Sequence, residues 1–208
     1  MEDVLALYAQ GYQPWQPVVC FDERPCELHA EVREALMMQP RQPFRYDSEY
    51  ERRGTCNLFM FFQPLAGWRH AKITAHRTKV DFAICMRELV DVMFPYAQTI
   101  RVVLDNLNIH SPASLYEAFE PPEAQRLLSK LEFHYTPKHG SWLNMVEIEF
   151  SVLVNQCLCR RIPDPYTLEH EVIAWEIARN LQRASVDWRF SLNHARSKLK
   201  RLYPVLPS

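Results

Sequence analysis

The sequence predicts an α/β fold in which a mixed sheet is flanked by helices. Short apolar runs typical of buried strands recur along the 208 residues. Segments with the spacing of amphipathic helices follow the later of these runs, an order that is typical of a sheet covered by helices. The hydrophobic content of 48% is enough for one sizeable core, so we expect one main domain.

Composition narrows the class of protein. The net charge is −1, so no overall basic field indicates nucleic acid, although a local basic patch can still bind it. The six cysteines are scattered through apolar segments, which is typical of reduced core thiols in a cytosolic protein. A weak alternative is a zinc site at Cys157 and Cys159. The sequence shows no signal-peptide pattern and no apolar run long enough to cross a membrane. We therefore expect a cytoplasmic protein without a membrane partner.

The first elements of the sheet are predicted close to the N-terminus. Residues 1–16 predict a short helix followed by prolines, and we interpret them as a residual linker. Residues 18–21 form a continuous apolar run that predicts a buried strand, which ends at Asp22. A turn at 24–25 would then lead into a second strand at 26–30.

The rest of the chain alternates between strands and helices. Residues 33–50 are irregular and basic, with an ordinary solvated loop as the alternative. Antiparallel strands are predicted at 55–62 and 68–75. Thr78 and Asp81 form a capping-box pattern, which begins an amphipathic helix. The remaining elements are a strand at 99–104, helices at 114–119 and 123–131, a strand at 132–135, and helices at 143–161 and 166–183.

Three acidic side chains accompany these elements in a pattern that indicates a site. Asp22 and Asp105 each come directly after a buried apolar strand, which is a rigid support for a polar group. On a helical wheel Glu147 falls at the edge of the apolar face of its helix, whereas Glu149 points about 200° away, among polar positions. The wheel therefore favours Glu147 as the third acid. The alternative is that both glutamates are ordinary solvated helix residues.

Three carboxylates that converge repel one another unless cations neutralise them. Mg²⁺ and Mn²⁺ favour oxygen ligands, and two such ions about 4 Å apart can activate an attacking water or hydroxyl at a phosphodiester. We therefore expect Asp22, Asp105 and Glu147 to bind two divalent ions, with Asp22 as the bridging ligand.

Two stretches carry a resemblance to a known family. Asn106 follows Asp105 after an apolar strand, and residues 137–147 read Pro-Lys-His-Gly-Ser-Trp-Leu-Asn-Met-Val-Glu. With these motifs the chain resembles the catalytic domain of DDE-type transposases of the Tc/mariner superfamily, and most nearly their bacterial insertion-sequence branch. The resemblance covers nearly the whole chain. It implies an RNase H-like fold, with Asp22, Asp105 and Glu147 as the catalytic triad.

The resemblance also implies an activity and partners. Such transposases cut DNA at the ends of their element and transfer the freed 3′ hydroxyl to target DNA, using Mg²⁺ or Mn²⁺. We accordingly expect DNA as the partner, a homodimer or higher assembly on DNA, and a nucleoid-associated place in the cytoplasm. Residues 17–208 would form the catalytic domain with a basic helical extension at its C-terminus. The N-terminal helix-turn-helix region of the family would be missing.

The chain departs from the family pattern between its last two acids, where residues 106–146 form a longer spacer than usual. Two other functions stay open, namely a stand-alone nuclease of the same fold and an inactive or regulatory transposase remnant. Use of a DNA 3′ hydroxyl as the nucleophile would distinguish the transposase from the nuclease. Folding without metal-stimulated cleavage would indicate the remnant.

Basic and polar residues elsewhere are candidates for supporting roles. Cations just before the catalytic helix could contact the scissile phosphate, and the basic C-terminal stretch could contact the DNA backbone. Polar residues after Asp105 could orient that carboxylate or a metal-bound water. A solvated surface is the alternative for each group. The candidates before the catalytic helix are Lys138 and His139. Those of the C-terminal stretch are Arg196, Lys198 and Lys200, and those after Asp105 are Asn106 and His110.

Overall fold

The fold is a mixed sheet covered by helices on both faces, as the sequence predicts. The structure is a computed structural model that describes residues 1–33, 38–42 and 47–202. Its strands are β1 (Val18–Glu31), β2 (Tyr50–Gln63), β3 (Trp68–Thr74), β4 (Ile100–Leu104) and β5 (Leu131–Tyr135). They lie in the order β3-β2-β1-β4-β5. β1, β2 and β3 pair antiparallel, whereas β4 runs parallel to both β1 and β5.

Helices cover the two faces of this sheet. They are α1 (Glu2–Tyr8), α2 (Lys79–Glu88), α3 (Pro112–Ala118), α4 (Pro121–Leu128), α5 (Val146–Gln156), α6 (Pro165–Leu181) and α7 (Leu192–Lys198). A π-helical turn, Leu89–Met93, continues α2, and short 3₁₀ turns lie at Ser141–Leu143 and Lys200–Leu202. The predicted capping box is confirmed, since Thr78 and Asp81 each accept the other's backbone N–H at the start of α2.

Alternation along β1 divides the core into two halves. Val18 and Cys20 pack with α1, α5, α6 and α7 on one face. Val19 and Phe21 pack with α2, α3 and α4 on the other face. Because successive side chains of a strand point to opposite faces, a residue's parity along β1 decides which group of helices it meets. The same rule decides to which face of the sheet the acidic side chains after Phe21 point.

The prediction of two strands separated by a turn at 24–25 is wrong. β1 is one strand of 14 residues, and it pairs with β2 from Cys20 to Glu31 with one irregularity between Glu27 and His29. β4 ends at Leu104, so among the described residues β1 pairs with no strand on that side beyond Cys20. Pro25 is tolerated because proline is compatible with an edge position. Asp22 therefore lies inside a long strand and not after the end of a short one.

Helix α1 packs against the body of the domain. Residues 1–16, which we interpret from the sequence as a residual linker, contribute Val4, Leu5 and Leu7 to the core, where these side chains are almost completely buried. The Tyr8 hydroxyl donates a hydrogen bond of 2.8 Å to the Leu143 carbonyl, just before α5. The N-terminal segment thus helps to fix the turn from which α5 begins.

Helix α5 is shorter than predicted, and one of its acids has a different environment. It begins at Val146, not at 143, and ends at Gln156. Glu149, which we expected among solvated positions, has a side chain that is only 1% exposed. Its carboxylate lies 2.9 Å from Arg69 Nε and 2.8 Å from Arg179 Nη2. The wheel failed here because α6 and β3 cover the side of α5 that it assigned to solvent.

The basic loop predicted at 33–50 is described only in part, since residues 34–37 and 43–46 lie outside the described residues. β2 begins at Tyr50, five residues before the predicted start of that strand, because β1 extends far enough to pair with it. Residues 203–208 of the predicted C-terminal extension are also outside the described part. Across the ranges that are described, no helix has the length and apolar character required to cross a bilayer.

The buried pair between Arg69 and Glu149 predicts a large stability effect. Arg69→Met should lower the free energy of unfolding by about 3 kcal/mol, because it leaves the Glu149 carboxylate buried with less compensation. The double variant Arg69→Met/Glu149→Leu should recover most of that loss. Urea unfolding monitored by circular dichroism measures both. The control is Arg126→Met, which removes an exposed pair with Asp91 and should have a much smaller effect. Equal losses in the single and double variants would contradict the pairing.

Candidate active site

An open cleft of about 400 Å³ lies at the edge of the sheet where β4 ends. Residues from β1, from the loop after β4 and from the start of α5 form its walls. The lining residues are Asp22, Glu23, Arg24, Pro25, Arg77, Asp105, Leu107, Ser141, Glu147 and Phe150. The three acids predicted from the sequence, Asp22, Asp105 and Glu147, are therefore all on the walls of one cleft.

Strand register explains why the two aspartates meet. β1 and β4 pair in parallel up to Cys20 and Val103. These two residues belong to the core half that packs on α5. Asp22 and Asp105 each come two residues later, and a period of two returns a side chain to the same face. Both carboxylates consequently project on the side of the sheet that α5 covers.

Asn144 joins the start of α5 to β1, and the sequence reasoning missed it as a functional residue. It is fully buried. Its Nδ2 donates to the Phe21 carbonyl at 2.9 Å and is 3.4 Å from Asp22 Oδ2. Its Oδ1 accepts the Val146 N–H at 3.4 Å. The sequence did offer one indication, since Asn144 is a single amide between the apolar residues Leu143 and Met145. A buried amide requires hydrogen-bond partners, so its position predicts such contacts.

The two glutamates of α5 have different positions. Glu147 is in the first turn of the helix, is exposed, and lines the cleft. Glu149 is absent from that lining and is held by two arginines in the core. Of the two, Glu147 is the one placed beside Asp22 and Asp105.

Asp22 has an environment that disfavours its charge. Burial and, to a smaller extent, the negative charges of Asp105, Glu23 and Glu147 together raise its pKa to about 7, although the hydrogen bond from the Glu23 backbone N–H lowers it. That N–H lies 2.8 Å from Asp22 Oδ1. A carboxylate in this situation is stabilised by either a proton or a cation.

His110 lies between two of the acids. Its Nδ1 is 2.6 Å from Asp105 Oδ1, and its Nε2 is 2.9 Å from Glu23 Oε2. Burial alone would lower the pKa of His110, but the hydrogen bonds to Asp105 and Glu23 outweigh it and raise the pKa to about 9. The predicted contact of His110 with Asp105 is therefore present. Glu23 was not anticipated, and its only signal was its position next to Asp22.

The other predicted supporting residues lie outside this cleft. Lys138 and His139 are exposed in the loop before α5, and Asn106 is exposed after Asp105. None of the three is part of the cleft lining. The basic side chains that do line the cleft are Arg24 and Arg77, which the sequence reasoning did not single out.

The C-terminal basic residues are on or after α7. Arg196 donates two hydrogen bonds to the Glu2 carboxylate, at 2.8 and 2.9 Å, and thereby joins α7 to α1. Lys198 and Lys200 are exposed. Of this group, Arg196 thus has a structural partner within the chain.

The donor atoms in the cleft suit a hard divalent cation, since Asp22, Asp105 and Glu147 offer only carboxylate oxygens. The raised pKa of Asp22 comes mainly from burial, and the part that comes from Asp105, Glu23 and Glu147 is repulsion that such a cation would relieve. In the part of the chain that the structure describes, no three His, Cys, Asp or Glu side chains are close enough together to hold an ion as they stand. Binding therefore requires the carboxylates to move closer, which an exposed Glu147 side chain permits.

The mixed five-stranded sheet flanked by helices is an RNase H-like fold, and its candidate site takes one acid from the central strand, one from the end of the adjacent parallel strand and one from a later helix. The family model described as DDE superfamily endonuclease matches residues 17–169. The chain belongs to that family. A comparison with curated protein sequences found no match.

Solved structures with the same fold include complexes of the Mos1 mariner transposase. The paired-end complex with Mn aligns with a TM-score of 0.58 at 13% identity, over 87% of this chain and 55% of the other. The Mos1 strand transfer complex gives 0.58 at 12% identity, over the same shares. The paired-end complex with Mg gives 0.57 at 14%, over 87% and 56%. At these identities the likeness is one of fold, and the chain spans about half the length of these proteins.

The raised pKa of Asp22 predicts a pH-dependent stability difference. Without metal, the folded state keeps the Asp22 proton until the pH reaches about 7, whereas the unfolded state loses it near pH 3.8. Above that range the raised pKa therefore lowers the free energy of unfolding of the wild type. Asp22→Asn should therefore be more stable than wild type at pH 8, by on the order of 2 to 4 kcal/mol, and not at pH 4. Urea unfolding in EDTA at both pH values measures the difference.

The matched control for this measurement is Asp187→Asn, because the Asp187 side chain is 72% exposed. Its effect should be small and alike at the two pH values. An Asp22→Asn variant that is no more stable than wild type at pH 8 would refute the unfavourable environment of Asp22.

Proposed function

We propose that this chain is the catalytic domain of a metal-dependent DNA transposase, with Asp22, Asp105 and Glu147 as its catalytic acids. It would cleave a strand at the ends of its element and transfer the 3′ hydroxyl to target DNA. The observation that carries the proposal is that these three acids line one cleft. The motif at 137–147 supports a place in the bacterial insertion-sequence branch of the family.

The proposed cofactor is a pair of Mg²⁺ or Mn²⁺ ions held by Asp22, Asp105 and Glu147. When bound, such ions supply charge stabilisation and an activated oxygen nucleophile at a phosphodiester. The chain's own residues provide the frame. Asn144 fixes Asp22 against the start of α5, and this first turn carries Glu147.

DNA is the proposed partner. Arg24 and Arg77, on the cleft wall, are placed to contact phosphates next to the acids. Lys138, His139, Lys198 and Lys200 are exposed and are proposed as additional backbone contacts. Transposition joins two DNA ends, so we propose a homodimer or higher assembly on DNA. A DNA substrate also implies a cytoplasmic, nucleoid-associated location.

Loss of any one acid should abolish metal-dependent cleavage. Asp22→Asn, Asp105→Asn and Glu147→Gln should each slow Mn²⁺-dependent nicking of supercoiled plasmid by at least about 100-fold, since several kcal/mol of transition-state stabilisation is lost. Glu169→Gln removes an exposed glutamate from α6 and serves as the matched control with unchanged nicking. Unchanged rates in all three acid variants would reject the site.

The same preparation separates the alternatives. Oligonucleotides with a pre-cut 3′ hydroxyl should yield strand-transfer products in a transposase and only hydrolysis products in a stand-alone nuclease. A folded wild-type protein that gives neither product with Mg²⁺ or Mn²⁺ would identify an inactive or regulatory remnant.

The exposed lysines of the C-terminal stretch predict salt-dependent DNA binding. Lys198→Ala and Lys200→Ala should each weaken binding to all sequences alike, and each should reduce the log–log slope of affinity against salt by about one. Fluorescence anisotropy across a salt series measures both quantities. Lys130→Ala is the control, because Lys130 immediately precedes β5, at the opposite end of the parallel strands from the cleft. Identical slopes for wild type and both variants would remove these lysines from the interface.

A further inference from the structure

We propose that Glu23 and His110 are positioning residues that hold the Asp105 carboxylate in the orientation in which it binds a cation. The inference rests on the proposed function and extends it to two groups outside the acid triad. Its basis is a continuous chain of contacts, from Glu23 Oε2 to His110 Nε2 at 2.9 Å, and from His110 Nδ1 to Asp105 Oδ1 at 2.6 Å. The side chains of His110 and Glu23 are 0% and 1% exposed.

This chain of contacts approaches Asp105 from the face of the sheet opposite α5. Glu23 comes directly after Asp22 in β1, so its side chain points to the other face, where Phe21 also lies. The His110 ring centroid is 5.6 Å from that of Phe21 and 5.1 Å from that of Phe82. The two phenyl rings therefore confine the imidazole beneath the acids, where DNA cannot contact it.

The backbone around His110 is also fixed. Its N–H donates to the Leu107 carbonyl at 3.0 Å, and its own carbonyl accepts the Tyr135 hydroxyl at 2.8 Å. An imidazole held on both sides by rings and by its own backbone is a rigid support for the carboxylate that it contacts.

The contacts are selective for one oxygen of Asp105. The His110 ring at 2.6 Å and the Leu107 N–H at 3.3 Å both meet Oδ1. A carboxylate oxygen only accepts, so the short contact needs a proton on His110 Nδ1. With Oδ1 engaged in this way, Oδ2 is the atom that Asp105 presents to a cation.

Glu23 completes the arrangement by fixing the imidazole. The Glu23 carboxylate lies 2.9 Å from His110 Nε2 as an ion-pair contact, so it constrains the ring at the end away from Asp105. The second cationic neighbour of Glu23, Arg77, is farther away, with Nη1 3.7 Å from Oε1. Groups that orient metal ligands from behind typically change metal affinity by about 10- to 100-fold when they are removed.

The test is Mn²⁺ affinity of the full chain, measured by isothermal titration calorimetry without DNA. Glu23→Ala should weaken Mn²⁺ binding by about 10- to 100-fold while circular dichroism and urea unfolding show a folded protein. Glu23→Gln should retain most of the affinity, because the glutamine side chain has nearly the same shape and can keep the contact with His110 Nε2 at the same place. The His110 Nδ1 proton resonance should stay sharp in Glu23→Gln and broaden in Glu23→Ala.

The matched control is Glu176→Ala, which breaks another Glu–His contact, 3.1 Å to His70 Nδ1, away from the cleft lining. It should leave Mn²⁺ affinity unchanged. A folded Glu23→Ala protein with wild-type affinity would overturn the positioning role and leave the proposed function intact. Equal losses in Glu23→Gln and Glu23→Ala would also overturn it, because charge and not orientation would then be what Glu23 supplies. A wild-type protein that binds no Mn²⁺ would overturn the proposed function together with this inference.

Discussion

The parallel pairing of β1 with β4 stops at Cys20 and Val103, and the site depends on that short register. Because β4 ends one residue later at Leu104, the chain turns away and leaves space beside the continuing strand β1. Asp22 and Asp105 are each two residues beyond the last pair, so their carboxylates face the same space. The long antiparallel pairing with β2 keeps β1 extended through this region. Without that support, the first acid would sit on a flexible loop.

The third acid reaches the cleft through a separate set of contacts. Helix α5 is placed by Asn144, which bonds to β1 beside Asp22. The helix is fixed farther along by Glu149, whose carboxylate contacts Arg69 of β3 and Arg179 of α6. These contacts act on opposite sides of Glu147 in the sequence. They explain how an exposed side chain can still have a defined position, since its backbone is held before and after it.

The sequence was informative about where buried apolar strands lie and less so about where β1 ends and about the surroundings of helices. The apolar runs at 18–21 and 99–104 located both aspartates because buried strands have a simple signature. Glu147, which the wheel favoured as the third acid, lines the cleft, whereas Glu149, which the wheel placed among polar positions, is buried. Periodicity describes one helix, whereas burial of Glu149 depends on arginines 80 residues before and 30 residues after it. Glu23 was overlooked for the same reason, since its partner His110 lies in a distant loop.

Positive charge is unevenly distributed among the acids of the cleft. The cationic contacts of the cleft fall on Glu23 and Asp105, through His110 and Arg77, whereas Asp22 carries a raised pKa. Cationic side chains thus partly neutralise Glu23 and Asp105, whereas the charge of Asp22 is less well compensated. The metal-free protein must therefore tolerate a free-energy penalty above the pKa of Asp22. Burial of Asp22 is the main source of that penalty and the nearby negative charges add to it, and a bound cation would relieve the part that the charges cause.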